Sequence, residues 1–310
     1  MTDKTPSPES DQQRCGFVSV IGAPNAGKST LMNALVGSKV TIVSPKVQTT
    51  RTIVRGIMVH DNSQIIFVDT PGIFKAEKKL EKAMITAAWE GEAESDAVIV
   101  VVDASRKKYH DGTREILRTL RDANHKKPVI LVLNKIDAIQ PETLLALSKE
   151  LNADYAFDAT FMISALKEKG LDDLLDDIAN RLPQGPFHYP EDQMSDMPMR
   201  LLAAEITREK LFHRFHQELP YNLTVETENW EEFDNGSAKV DQIIYVTKDG
   251  HRKIILGKGG QAIKSVGIEA RKELADMLER DIHLKIHVKV DPRWIDDPDR
   301  YRVWGLDHNA

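Results

Sequence analysis

Residues 22–29 read Gly22-Ala23-Pro24-Asn25-Ala26-Gly27-Lys28-Ser29, and no other stretch restricts the chain as much. They fit G-x-x-x-x-G-K-S and stand between the apolar run Phe17–Ile21 and a helical pattern opening near Ser29 and Thr30. Glycines let backbone N–H groups approach phosphates, and a helix N-terminus adds a favourable dipole. Lys28 is expected to reach the β- and γ-phosphates, and the Ser29 hydroxyl to ligate Mg²⁺. By residue frequencies such a string arises by chance in roughly one chain per hundred of this length. The strand-to-helix setting lowers that further. The motif implies a nucleoside triphosphate without naming the base.

The surrounding pattern predicts the layers that would carry such a loop. Near-continuous apolar runs at Phe17–Ile21, Ile65–Val68, Ala97–Val102, Val129–Leu133 and Phe161–Ile163 alternate with helical periodicity up to about Leu182. Runs of this kind suit a mostly parallel sheet covered by helices, an α/β domain. Several end in a polar residue, Asp69, Asp103, Asn134 or Ser164, where open α/β sheets bind ligands.

Three of those ends extend the site. Asp69-Thr70-Pro71-Gly72 offers an acid for the metal and an amide, at Gly72, to sense the γ-phosphate. Asn134-Lys135-Ile136-Asp137 names the base. A carboxylate at Asp137 accepts from both the ring N–H and the exocyclic amine of guanine, and adenine would leave that buried carboxylate unpaired. Ile163-Ser164-Ala165 then offers a backbone amide to the guanine carbonyl. Between the first two motifs lies Gln48-Thr49-Thr50-Arg51, where Thr50, in preference to Thr49, would complete a Mg²⁺ shell in the triphosphate state. The ordered set predicts a guanine-nucleotide switch with GTP, GDP and Mg²⁺ as its ligands.

Composition limits the rest. A net charge of −6 excludes a protein that is basic as a whole, so any RNA contact must come from a local patch. The lone Cys15 excludes an internal disulfide and predicts a reducing, cytoplasmic home. The longest apolar run, Ala97–Val102, is far short of the ~20 residues of a membrane-spanning helix.

The expected organisation is a disordered tail over 1–14, a nucleotide domain over 15–183, a proline-rich linker over 184–199 and a second domain over 200–310. The second domain reads as a smaller α+β unit. An amphipathic helix from about Arg200 to Leu219 precedes strands at Leu223–Glu228 and Lys239–Thr247, with a turn at Asp234-Asn235-Gly236. A helix around Ala262–Glu279 and a strand over Ile282–Val290 follow. Gly257-Lys258-Gly259-Gly260 fits G-x-x-G, a loop that clamps nucleic-acid backbones. The string alone is weak. Its setting is stronger, since residues 248–272 hold seven Lys/Arg against two acids, an excess of five. Ile254, Ile255 and Leu256 would frame a groove, and the Trp294–Trp304 tail should pack on the protein.

These residues resemble the translation-factor-related bacterial GTPases, and within them the Era family of ribosome-assembly GTPases, from about Phe17 to the C-terminus. The marks are Pro24-Asn25, Gln48-Thr49-Thr50-Arg51, the stretch Glu205–Tyr221 ending in Glu218-Leu219-Pro220-Tyr221, and Ile255-Leu256-Gly257-Lys258-Gly259-Gly260. The resemblance implies a P-loop GTPase domain followed by a type II KH domain. It implies binding of 16S rRNA on the assembling 30S subunit through Gly257–Gly260 with Lys253, Lys264 and Arg271. A monomer is expected, and the partly basic helix Arg200–Leu219, with Arg208, Lys210, His213, Arg214 and His216, either packs between the domains or makes a weak peripheral contact with the inner membrane or with RNA. Ile73 stands where Ras-like GTPases carry a water-orienting glutamine, which implies slow intrinsic hydrolysis, and Asn25 is where relatives place a K⁺. The competing reading is a membrane-peripheral or protein-binding regulatory GTPase coupled to cell growth or the cell cycle.

Overall fold

The computed structural model describes residues 13–72, 78–106, 111–123 and 127–308. By packing, the chain forms two compact units: Met1–Val40, Thr50–Asp196 and Trp304–Ala310 make the first, Thr41–Thr49 and Met197–Val303 the second.

The first unit runs β1 (Arg14–Gly22), α1 (Lys28–Val36), β2 (Val54–His60), β3 (Ser63–Asp69), α2 (Lys79–Ala93), β4 (Ala97–Asp103), α3 (Asp111–Asp122), β5 (Val129–Asn134), α4 (Pro141–Asp154), β6 (Ala159–Met162) and α5 (Asp172–Arg181). The sheet order is β2-β3-β1-β4-β5-β6. Every neighbouring pair is parallel except β2–β3. The apolar runs account for this. Val98, Val100 and Val102 pack with Ile116, Leu117 and Leu120 of α3 and Leu144, Leu147 and Leu151 of α4. Strand β1 is the point where the order reverses, and the crevice at its C-terminal end is where such sheets take ligands. Gly22 ends β1 there.

The sequence pattern misses β2. It pairs residue for residue with β3, from Val54↔Asp69 to His60↔Ser63, through a tight turn with Asp61 at φ +51°. Arg55 and Gly56 interrupt its apolar run, so periodicity alone does not mark it.

Both ends of the expected domain shift. Arg14 already belongs to β1, opposite Ser63, so the tail expected over 1–14 is shorter, and residues 1–12 lie outside the described residues. The linker expected over 184–199 is instead a strap on the first unit as far as Asp196. The fully buried Gln64 accepts from the amides of His188 and Tyr189 at 2.8 and 3.0 Å, and donates to the Tyr189 carbonyl at 2.8 Å. Arg55 pairs with Asp196 at 2.8 Å. These bonds satisfy backbone groups that a free linker would leave to water.

The second unit holds α6 (Met199–Arg214), β7 (Leu223–Glu232), β8 (Ala238–Val246), α7 (Asp249–Leu256), α8 (Gln261–Leu278), β9 (Ile282–Val290) and α9 (Pro298–Val303). The sheet order is β7-β8-β9, with β7–β8 antiparallel and β8–β9 parallel. Leu211 and Phe212 of α6, Ile244 and Val246 of β8, Ile255 of α7 and Val266 of α8 share one core. Helix α7 replaces the simple apolar run expected at 254–256. It buries His251 and Ile255, one turn apart, and leaves Ile254 exposed. Trp294 is buried in this unit, while Trp304 is buried in the first, where its carbonyl accepts from Thr52 Oγ1 at 2.8 Å.

Candidate functional site

The phosphate loop forms as its glycines require. Gly27 caps α1 at φ +94°, a left-handed conformation that costs glycine little. A Cβ there would meet Asn134 Nδ2 at 2.3 Å, so the position is closed to side chains as well. Lys28 is buried and folds back on the loop, donating to the carbonyls of Gly22 and Ala23 at 3.1 and 3.4 Å. Burial pushes its pKa down, against the opposing pull of the Asp69 charge. A Cβ placed on Gly72 would lie 3.2 Å from Lys28 Nζ, so the backbone of Asp69-Thr70-Pro71-Gly72 abuts that ammonium. Thr70 fixes the segment by donating to the Val20 carbonyl at 3.2 Å. Ile73 lies outside the described residues.

Three oxygens converge beside the loop. Ser29 Oγ is 3.0 Å from Thr50 Oγ1 and 2.9 Å from Asp69 Oδ2, and Thr50 Oγ1 is 3.2 Å from the same carboxylate oxygen. Hydroxyls and a carboxylate are the hard donors Mg²⁺ takes, so these residues fit that ion. Thr49 is turned elsewhere, its hydroxyl bonding Ser44 Oγ and the Lys46 carbonyl, both at 2.6 Å. The two threonine hydroxyls thus face different partners.

Strand ends β5 and β6 build the base-reading side. The buried Asn134 accepts from the amides of Lys135 and Ala165 at 2.8 and 3.0 Å and donates to the Ala26 carbonyl at 3.0 Å. The Ala165 amide, expected to face a guanine carbonyl, is therefore already engaged by Asn134. Ser164 Oγ donates to Asp137 Oδ1 at 2.5 Å, and that bond, ahead of the nearby Lys167 and Lys169 charges, holds the Asp137 carboxyl below the usual range. Asp137 is exposed and not buried as expected, so its selectivity depends on the base that covers it. Ile136 packs against the core of the first unit, and its amide donates to the Ile163 carbonyl at 3.2 Å.

Two features escaped the sequence reading. Lys135, at φ +69°, sends Nζ to the Asn25 carbonyl and to Asp103 Oδ2, 2.7 Å from each. Burial alone would raise the Asp103 pKa, but bonds from Lys135 and Ser105 outweigh it and lower it. Asp103, read from sequence only as a strand end, thus braces the underside of Pro24-Asn25.

In the second unit, Gly257-Lys258-Gly259-Gly260 joins α7 to α8. Gly257, Gly259 and Gly260 stand at φ +71°, +60° and +76°. A Cβ on Gly257 would come within 2.7 Å of Ala262 Cβ. The turn stands beside the exposed Lys258, Lys264 and Arg271, a basic surface suited to phosphates. Lys253 is exposed and pairs with Asp249 at 3.0 Å.

Two family models match the chain. Residues 17–135 match the family described as 50S ribosome-binding GTPase, and residues 218–295 match the KH domain. The GTPase Era of Sinorhizobium medicae is 56% identical over 294 residues, 95% of this chain and 94% of that protein. That of Mesorhizobium japonicum is 55% identical over 306 residues, 99% of this chain and 96% of that one. Among solved structures, a single-residue variant of Aquifex aeolicus Era bound to GDP.AlF4⁻ aligns with a TM-score of 0.88 at 38% identity, covering 94% of this chain and 99% of that one. Era in complex with MgGDPNP and nucleotides 1506–1542 of 16S ribosomal RNA aligns at 0.89, also 38% identical, over 95% and 99%.

Proposed function

The chain belongs to the Era family of GTPases, and on that premise we propose that it is a GTP-gated binder of 16S rRNA acting in assembly of the 30S subunit. The observation that carries this is the open Gly257–Gly260 turn at the head of α8, flanked by basic side chains in a chain of net charge −6. The solved relative described with MgGDPNP and 16S nucleotides supports the same partner.

GTP hydrolysis transfers the terminal phosphoryl group to water, which leaves little covalent work for the protein beyond positioning and charge. Lys28 and the Gly72 amide would hold the γ-phosphate, and Asp137 with Asn134 the guanine. Ser29, Thr50 and Asp69 would hold Mg²⁺, which when bound offsets charge on the phosphates. With isoleucine at 73 in place of glutamine, intrinsic turnover is slow, and Asn25 is the residue that would hold a K⁺, which when bound would supply further positive charge. Equal turnover in K⁺ and Na⁺ buffers would sink the potassium assignment.

The decisive experiment measures retention of a 16S 3′-terminal fragment by the full chain with a GTP analogue and with GDP. Tight retention with the analogue and weak retention with GDP is expected. Equal retention would remove the gating, and none in either state would favour a protein partner. The same reading makes the protein a cytoplasmic monomer with weak membrane contact, and flotation with anionic vesicles tests that contact.

A further inference from the structure

The tip of the β2–β3 hairpin carries a second group of metal-ligating side chains, all within the first unit. His60 closes β2, Asp61 opens the turn and Asp176 stands in the middle of α5. His60 Nε2 lies 2.6 Å from Asp176 Oδ1. A carboxylate oxygen of Asp61 completes a triangle whose three atoms all lie within 4.8 Å of one another.

The fold fixes each corner. His60 pairs with Ser63 on the last rung of the antiparallel ladder, which sets its place on the edge strand of the sheet. Asp61 follows at φ +51°, a left-handed conformation that aspartate adopts more readily than most residues, and the chain reverses there. Helix α5 packs on both strands of the hairpin and brings Asp176 to its tip. The neighbouring Asp177 is already engaged by Arg181 at 2.6 and 2.8 Å. The imidazole is half-buried, and both carboxylates of the triangle are exposed to an arriving ion.

Charge distinguishes this arrangement from an ordinary ion pair. One imidazole beside one carboxylate is a complete pair, and Asp61 adds a second negative charge to it. Among the described residues no lysine or arginine forms an ion pair with Asp61 or Asp176. Like charges so close together disfavour each other, and a divalent cation between them removes that cost. One imidazole nitrogen with two carboxylate oxygens is a donor set for a first-row transition ion such as Zn²⁺, with coordination positions left for water. Mg²⁺ and Ca²⁺ favour shells of oxygen alone.

We propose that His60, Asp61 and Asp176 form a binding site for a divalent transition-metal ion, which ties the β2–β3 hairpin to α5. The site is separate from the Mg²⁺ ligands of the nucleotide site. Ser63 and Asp69 are opposite ends of β3, so the hairpin tip stands about 20 Å from Asp69 along the strand.

The test uses the full chain saturated with GDP and Mg²⁺, so that the nucleotide site is filled. Zn²⁺ is titrated into the parent and into His60→Ala, Asp61→Asn and Asp176→Asn by calorimetry, and the His60 ring signals are followed by NMR. The parent should bind Zn²⁺ with a shift of those signals, and each substitution should weaken that binding about tenfold or more. GDP affinity should hold within about twofold in all three variants. An ion taken by the folded chain alone raises its melting temperature, so Zn²⁺ should do this in the parent and not in Asp176→Asn. No Zn²⁺ binding by the parent, or affinity unchanged by all three substitutions, would overturn the proposal. A loss in His60→Ala with both carboxylate variants as tight as the parent would reduce the site to one surface histidine and overturn it as well. Binding without a rise in melting temperature would mean that the unfolded chain holds the ion equally, against a site made by the fold.

Discussion

Lys135 Nζ lies 2.7 Å from the backbone carbonyl oxygen of Asn25, so the base-reading loop holds up the phosphate loop from below. Both are fixed to one frame, because Asn134 also donates to Ala26. Lys135→Met should therefore weaken GTP and GDP alike, by about tenfold or more, the scale of one lost charge-assisted hydrogen bond. Titration calorimetry with both nucleotides checks it. A loss confined to GTP would show that Lys135 acts through the γ-phosphate instead.

Asp137 presents two acceptor oxygens, one taking the Ser164 hydroxyl at 2.5 Å. Asp137→Asn replaces one acceptor by a donor. Guanine then meets a mismatched edge, while xanthine, with a carbonyl in place of the amine, gains a partner. GTP hydrolysis should fall by at least about a hundredfold and xanthosine triphosphate should become the better substrate. Competition assays with the two triphosphates measure the ratio directly.

Gly257 combines φ +71° with only 2.7 Å between a built Cβ and Ala262 Cβ. Gly257→Ala should distort the turn and cut RNA affinity about tenfold or more, while turnover of GTP in the absence of RNA stays unchanged. Lys258→Asp together with Gly259→Asp should reduce both the affinity and the slope of log K against log salt, by about one unit per lost phosphate contact. Filter binding at several salt concentrations reads both. Unaltered RNA affinity would move the RNA surface elsewhere.

Tyr301 in α9 is fully buried, and desolvation, assisted by the Asp296 charge, pushes its phenol up to about 12. An ordinary tyrosine titrates near ~10. Between those values the folded chain keeps a proton that the unfolded chain releases, so the contribution is intact below about pH 10 and is lost as pH rises toward about 12. The full loss is about 2–3 kcal/mol. Urea unfolding at pH 8 and pH 11 should show Tyr301→Phe losing less stability over that interval than the parent chain.

The chemistry of the site was legible wherever it is contiguous. A phosphate loop needs its glycines, lysine and serine within one turn, so the string at 22–29 announces itself. Asp103, Lys135 and Asn25 meet only because β1, β4 and β5 end side by side, a product of strand order that no local pattern carries. Helix α7 was hidden by its length of 8 residues and by three consecutive apolar residues at its end. The spacing of His251 and Ile255 was the available signal. Gln64 lies one residue before the apolar run expected at Ile65–Val68, yet it secures the strap at 188–189 through three hydrogen bonds.

Along the chain, membership passes between the two units four times, at 40/41, 49/50, 196/197 and 303/304. No single cut can then release both units whole. A fragment ending at Asp196 keeps the strap, but it lacks the Trp304 carbonyl that takes the Thr52 hydroxyl. The order of synthesis meets the same obstacle. Residues 304–308, translated after the entire second unit, supply a wall of the first, so the unit begun earliest on the ribosome is among the last to be finished.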